Sequence, residues 1–271
     1  MKDHILFLIR TYSIKVLSIQ ESHLDSSKGL SFVKGLGRNW DGYVHSSEGA
    51  SGGLILAWNS DFVLANILSS SFDIIHAILK IDNLEPFLFS NIYASTNPSL
   101  RNTLWNSLSN IDLSPFPWLI FRDFNCILNQ EDKIGGSPFS NTHAINCFRD
   151  FITNSNLTDL GFSGPAHTWT NNRKGPSRIL IRLDRAFSNP AWLHFFGNSF
   201  VKHLAKPTSD HCLILISTPN SKSSSCKLEN LLENTLNDIH SLEYLDSTSP
   251  LDDSHLTILR ALYNKANALQ K

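Results

Sequence analysis

The 271-residue chain lacks several features that would fix its class at once. No apolar run is long enough to span a bilayer, which leaves no candidate for a membrane helix. The four cysteines, Cys126, Cys147, Cys212 and Cys226, show no motif spacing. They fit a reducing compartment, with the first three as small core residues. An excess of one charge is also missing. A net charge of -1 excludes a strong non-specific polyanion binder, but not an enzyme that touches a few phosphates. There is no internal repeat and no basic targeting run. Met1 to Arg10 has only the outline of a signal peptide, because Asp3, a short apolar core and the missing small-residue cleavage site argue against one. Glu48-Gly49-Ala50-Ser51-Gly52-Gly53 is glycine-rich, yet no Lys-Ser/Thr and no helix follow, so it is not a phosphate loop.

What is present is a core: 41% of residues are hydrophobic, which suits a globular protein and not a disordered one. Ile5 to Tyr12 reads as helix or strand. Strands are expected over Lys15–Gln20, Trp40–His45, Leu54–Trp58, Phe62–Ser69, Ile74–Ile81 and Phe87–Tyr93, with a turn at Asp82–Glu85. Ser99–Ile111 has apolar residues at helical period. After Gly135–Pro138, Asn141 or Thr142 caps a helix that places Ala144, Ile145, Phe148, Phe151 and Ile152 on one face. Strands then follow over Asn156–Leu160, His167–Thr170, Arg178–Phe187, Phe200–Leu204 and Cys212–Ile216. Residues 1–218 read as one domain, and 219–271 as a Ser- and Lys-rich linker with a weakly helical tail. Many strands, few helices and no strict βαβ rhythm predict an α/β (α+β) fold of two packed mixed sheets with outer helices.

The most telling stretch is Trp118-Leu119-Ile120-Phe121-Arg122-Asp123-Phe124-Asn125. Four apolar residues after Pro117 read as a buried strand. Alternation sends Asp123 and Asn125 one way and Phe124 back to the core. A carboxylate and an amide at a strand end can take a proton from water, hold a metal or donate to an oxyanion; they are also ordinary turn residues. Similar polar strand ends occur at Glu21, Tyr93, Asp184 and Ser209-Asp210-His211. The one basic cluster, Arg173, Lys174, Arg178, Arg182 and Arg185, straddles an expected hairpin turn at Asn171–Ser177.

Six blocks occur in order: Ile19-Gln20-Glu21-Ser22, Asn91-Ile92-Tyr93, Asp123-Phe124-Asn125, His167-Thr168-Trp169, Arg182-Leu183-Asp184-Arg185 and Ser209-Asp210-His211. From about Ile5 to Ile216 the chain resembles the endonuclease/exonuclease/phosphatase superfamily with its deoxyribonuclease I-like four-layer sandwich, and in particular the endonuclease domain of plant LINE-type (non-LTR) retrotransposons. The resemblance implies Mg²⁺, or Mn²⁺ in its place, held by Glu21 with Asp210 as a further acid. Asp123 would orient or deprotonate the attacking water, Asn125 and Tyr93 would bond the phosphate, and His211 would contact a phosphate oxygen. Asp184 would fix the His211 tautomer. Thr168, Arg173, Lys174, Arg178 and Arg182 would meet the DNA backbone. The implied reaction nicks one DNA strand and leaves a 3′-hydroxyl that primes reverse transcription. The implied protein is a nuclear monomer with DNA as partner and no membrane attachment.

Two departures stand out. The family opens with a strand bearing an Asn, followed by a helix; here the chain starts at what reads as that helix, so the first strand is expected to be missing. The family also has Gly before Asp-Phe-Asn where this chain has Arg122. Impaired catalysis is the expectation. The rival readings are a phosphatase on the same fold, acting on an inositol lipid or a nucleotide, and a retroelement remnant with at most binding activity.

Overall fold

A computed structural model of the chain describes residues 2–49, 52–111, 116–204 and 209–218. The expected linker, tail, Cys226 and Lys206-Pro207-Thr208 lie outside them.

The elements run α1 (Lys2–Thr11), β1 (Val16–Ile19), α2 (Ser26–Lys34), β2 (Trp40–His45), β3 (Leu54–Asn59), β4 (Val63–Ser71), β5 (Ile74–Ile81) and β6 (Phe87–Tyr93). Then come α3 (Pro98–Ser109), β7 (Trp118–Asp123), β8 (Lys133–Ile134), α4 (His143–Asn154), β9 (Thr158–Asp159) and β10 (Trp169–Thr170). Last are β11 (Leu180–Ile181), β12 (Asp184–Ser188), α5 (Pro190–Phe196), β13 (Phe200–Leu204) and β14 (Leu213–Ser217). Among the described residues the ladders form four sheets, ordered β1-β3-β2, β4-β5-β6-β7-β12-β9, β10-β11-β8 and β13-β14. The largest is mixed, since β6 and β7 are parallel while β4, β5 and β6 are antiparallel. The result is an α/β protein of packed sheets flanked by helices, as the sequence implies.

The chain divides into two compact units. Among the described residues, one holds those up to Asn125, Cys147–Asp159 and Arg185–Asn198; the other holds Cys126–Asn146, Leu160–Asp184 and those from Ser199 on.

In the first unit the six-stranded sheet is buried at its centre, with β7 and β12 nearly free of solvent contact. An aromatic cluster packs there. Trp105 of α3 lies 4.9 Å from Phe148 and 5.2 Å from Phe151 of α4, and Phe124 lies 5.1 Å from Phe187. Ring pairs at such distances add to the area they bury. Asn189 ties an element start to this sheet: its Oδ1 accepts from Trp192 N and Trp118 N, both at 3.0 Å, so one side chain caps α5 and anchors β7. The three-stranded sheet packs beside it. Val33, Leu36, Trp40, Val44, Ile55 and Ala57 form its core, with Ile5, Leu6 and Ile9 of α1 against them. Gly29 allows α2 to lie close, since a Cβ there would come within 2.6 Å of Val44.

In the second unit β10 and β11 form the expected hairpin, with Trp169 opposite Ile181 and Thr170 opposite Leu180. Asn171 staples the loop: its Oδ1 accepts from Arg173 N and Ile179 N, and its Nδ2 donates to Ser177 O. One expectation is corrected here. Arg178–Phe187 is not a single strand but β11 and β12, in different sheets. The break falls where other acceptors serve the backbone. Arg182 N donates to Asp132 O, and Leu183 N and Asp184 N both donate to Thr168 Oγ1.

Candidate active site

Four of the expected residues meet in the first unit. Tyr93 ends β6 and Asp123 ends β7, and the two are register partners in the parallel ladder. The bond from Ala94 N to Asp123 O, 2.9 Å, continues that pairing by one residue. β1 is held alongside by its side chains: Ser18 Oγ donates to Asn91 Oδ1 at 2.7 Å, and Gln20 Nε2 donates to Ile92 O. That brings Glu21, just past β1, to Tyr93, whose phenol O–H donates to Glu21 Oε1. The loop behind Glu21 is tight. Ser22 N and His23 N donate to Gly53 O and Gly52 O, and a Cβ on Gly53 would sit 2.5 Å from Ser22 Oγ.

Asp123 is 3% exposed. Its Oδ1 accepts from Asn125 N at 2.8 Å and its Oδ2 from Asn125 Nδ2 at 3.1 Å. Asn125 Nδ2 also donates to Ala94 O at 2.8 Å. Both amide hydrogens of Asn125 are thus committed within the chain, and the carboxylate is fixed in one orientation. Phe124, between them and one residue past β7, has no exposed surface. The backbone is strained around these side chains: φ is 49° at Glu21, 52° at His23, 102° at Arg122 and 45° at Asn125. Such conformations cost free energy and concentrate at functional sites. Arg122 occupies a conformation that suits glycine.

The second unit holds the other group. His211 Nδ1 is 2.9 Å from Asp184 Oδ2, with the Asp184 side chain 1% exposed and that of His211 22% exposed. Thr168 braces both. Its Oγ1 receives the N–H of Leu183 and of Asp184, each at 3.0 Å, and its carbonyl accepts from Cys212 N. Asp210 is exposed, and its Oδ2 accepts from Trp169 Nε1 at 3.0 Å. His167 is buried at 5% exposure, and burial lowers its pKa against the opposing pull of Asp132.

The residues expected to meet DNA separate by exposure. Arg173 and Lys174 are exposed on the hairpin loop. Arg178 is 6% exposed. Arg182 lies with its guanidinium 4.4 Å from the Phe162 ring centre. Thr168 has no exposed surface, and its hydroxyl braces the chain from inside. Sequence reading gave no role to Ser18, Gln20 and Asn91, which hold Glu21 in place; the available signal was three polar residues in apolar strands.

Among the described residues no three His, Cys, Asp or Glu side chains gather as a metal cluster. Mg²⁺ needs fewer, since it commonly takes one or two carboxylates and completes its shell with water and substrate phosphate. Glu21, exposed and already oriented by Tyr93, fits that modest requirement.

No family model matches the chain, and no curated protein matches it. Solved structures do. An AP endonuclease from Archaeoglobus fulgidus has a TM-score of 0.59 at 14% identity, covering 79% of this chain and 93% of that one. The catalytic domain of Xenopus laevis APE2 gives 0.56 at 12%, covering 80% and 88%. D. rerio TDP2 complexed with single strand DNA product gives 0.50 at 14%, covering 79% and 90%. The shared feature is the deoxyribonuclease I-like fold.

Proposed function

We propose that this chain hydrolyses phosphodiester bonds in DNA, nicking one strand to leave a 3′-hydroxyl, as a domain of LINE-type retroelement descent. The observation that carries the reading is the chain of contacts in the first unit, from Glu21 through Tyr93 to Asp123 and Asn125. Pre-oriented groups of this kind, with a buried carboxylate at Asp123, suit proton transfer and phosphate contact. The order of the six sequence blocks and the fold support the same reading, and the TDP2 complex is one relative in fold that has DNA bound.

In this reading Asp123 takes the proton of the attacking water, and its two bonds to Asn125 hold the accepting oxygens in place. The Tyr93 phenol and the Asn125 amide contact the phosphate by each exchanging a bond within the chain, Tyr93 that to Glu21 and Asn125 one of those to Asp123 and Ala94, for one to a phosphate oxygen. His211 presents Nε2 to a phosphate oxygen while Asp184 holds the Nδ1 proton. Mg²⁺, or Mn²⁺, would be held by Glu21 with Asp210 as a further acid, and would supply charge to the phosphate oxygens. Arg173 and Lys174 make the backbone contacts. The protein acts as a monomer in the nucleus. Its rate is low, because Arg122 sits where the backbone calls for glycine.

Nicking of supercoiled plasmid by the purified chain in Mg²⁺ tests this, beside Asp123→Ala, His211→Ala and a chelator control. Nicking lost in all three supports the assignment. Silence from a folded chain and also from Arg122→Gly overturns it. Turnover of a phosphomonoester without nicking would move the chain to the phosphatases of the same fold.

A further inference from the structure

The buried stripe of α3 breaks a rule of helix patterning. It consists of Arg101, Leu104, Trp105 and Leu108, at the spacing of one helix face. Leu100, one position earlier, is 54% exposed, while Arg101 is 7% exposed. The helix therefore buries a cation and turns a leucine to solvent. A buried charge is costly unless it is paired and hydrogen-bonded, and a residue that breaks the local pattern marks a place under another demand.

The demand is not an ion pair, since no carboxylate among the described residues pairs with Arg101. Its Nη1 donates instead to two successive carbonyls, Ser95 O at 2.9 Å and Thr96 O at 2.8 Å, and its Nε is buried with no hydrogen-bond partner. Those carbonyls belong to the loop that leaves β6. The residue before them, Ala94, is tied on both sides: its N–H donates to Asp123 O and its carbonyl accepts from Asn125 Nδ2 at 2.8 Å. Asn125 Nδ2 also reaches Asp123 Oδ2. One line of contacts thus runs from the Arg101 guanidinium through the loop and Asn125 to the Asp123 carboxylate. Ser95 is half-buried and Thr96 is exposed, so water can serve their carbonyls without Arg101. What the guanidinium adds over water is a fixed place for the loop.

We propose that Arg101 is a positioning residue for the candidate active site. By fixing the Ser95 and Thr96 carbonyls it fixes Ala94, and through Ala94 the Asn125 amide that aims Asp123. It touches no substrate. The inference rests on the hydrolase reading for its effect on rate, and stands apart from it for its effect on Asn125. A small displacement of a group that aims a reacting atom costs a large factor in rate.

The test compares the full chain with Arg101→Met, which keeps the length and removes the donors, and Arg101→Lys, which keeps a charged donor. The first readout needs no turnover: the side-chain amide signals of Asn125 in a proton–nitrogen spectrum. In Arg101→Met they should be displaced and exchange with solvent about tenfold faster or more, and in Arg101→Lys they should stay close to wild type. Leu108→Ala, in the same buried stripe, lowers the unfolding midpoint and should leave these signals in place. The second readout is nicking in Mg²⁺ over a range of plasmid concentrations. Arg101→Met should lower kcat about 10–100-fold with KM within about twofold, and Arg101→Lys should restore most of the rate. In an Asn125→Ala background Arg101→Met should change the rate by less than about twofold, because the line it acts through is already cut. Should Arg101→Met fail to fold, Arg101→Gln, a shorter and neutral donor, takes its place in each arm. Asn125 signals that stay unmoved, or that move equally in Leu108→Ala, overturn the proposal. So does an undiminished loss of rate in the Asn125→Ala background, or a rise in KM alone. A wild-type chain that does not nick counts against the hydrolase reading, and the Asn125 signals then decide the role of Arg101 by themselves.

Discussion

The imidazole of His211 is tied through Nδ1 to Asp184, a carboxylate with 1% of its side chain exposed, at 2.9 Å. A buried acid in that position holds the proton on Nδ1 and turns Nε2 outward. Asp184→Asn keeps the shape but lets the ring take the other tautomer. Nicking is expected to fall by about 10²-fold or more. Nitrogen chemical shifts of His211 should show the proton moving to Nε2. Unchanged shifts with unchanged rate would remove Asp184 from this role.

Arg122 at φ 102° gives a stability prediction of unusual sign. Replacement by glycine normally destabilises a strand by roughly 0.5–1 kcal/mol, but here it also relieves strain worth about 1–3 kcal/mol. Arg122→Gly is therefore expected to raise the unfolding free energy by about 1 kcal/mol, measured by urea denaturation. Arg122→Ala lacks the relief and should not. Equal effects of the two substitutions would show that the backbone conformation is not the issue.

His76 gives the pH dependence. Its Nδ1 lies 2.8 Å from Ser90 Oγ, which also accepts from Trp118 Nε1 at 2.8 Å. Burial lowers its pKa from 6.5 to about 4. The unfolded chain therefore binds this proton first. Its contribution to stability is complete above about pH 6.5 and is lost as pH falls toward 4, on the order of 3 kcal/mol in all. His76→Asn should flatten the curve of melting temperature against pH in that window. A slope that survives the substitution would place the titration elsewhere.

Exposure sorts the basic residues. Arg173 and Lys174 are open to solvent, so their joint replacement by Ala should weaken DNA binding with little sequence dependence. The slope of log affinity against log salt should shrink by about 2. Arg178, at 6% exposure, should behave oppositely: Arg178→Ala lowers stability by about 1–3 kcal/mol and leaves the salt slope alone. A reduced slope for Arg178→Ala would count against this division.

Much of the fold can be read from residue pattern alone. Trp40–His45, Ile74–Ile81 and Phe87–Tyr93 are strands over the spans their apolar patterning predicts. α2 and α5 were not visible that way, because at nine and seven residues they give too short a period. Their signals were the caps, Asp25 and Asn189-Pro190. The break between β11 and β12 was hidden for a different reason. It depends on Thr168 Oγ1, which lies 15 and 16 positions before the two N–H groups it serves. No local pattern encodes such a pairing. In the candidate site, Asp184 beside His211 was implied by the family resemblance and not by local pattern, and the burial of Thr168 was implied by neither. A hydroxyl suits a brace and a DNA contact equally well until the neighbours are known.

Phe124 lies between Asp123 and Asn125, and its ring packs on Phe187 and Phe148. The two polar residues therefore inherit their aim from the aromatic slab behind them. A genetic screen for lost function would not return a tidy set of polar positions. It would also return Trp105, Phe148 and Phe187, scattered along the chain and bearing no reactive group. Suppressors of those hits would be sought among volume-restoring changes in the same slab, not at the reacting atoms.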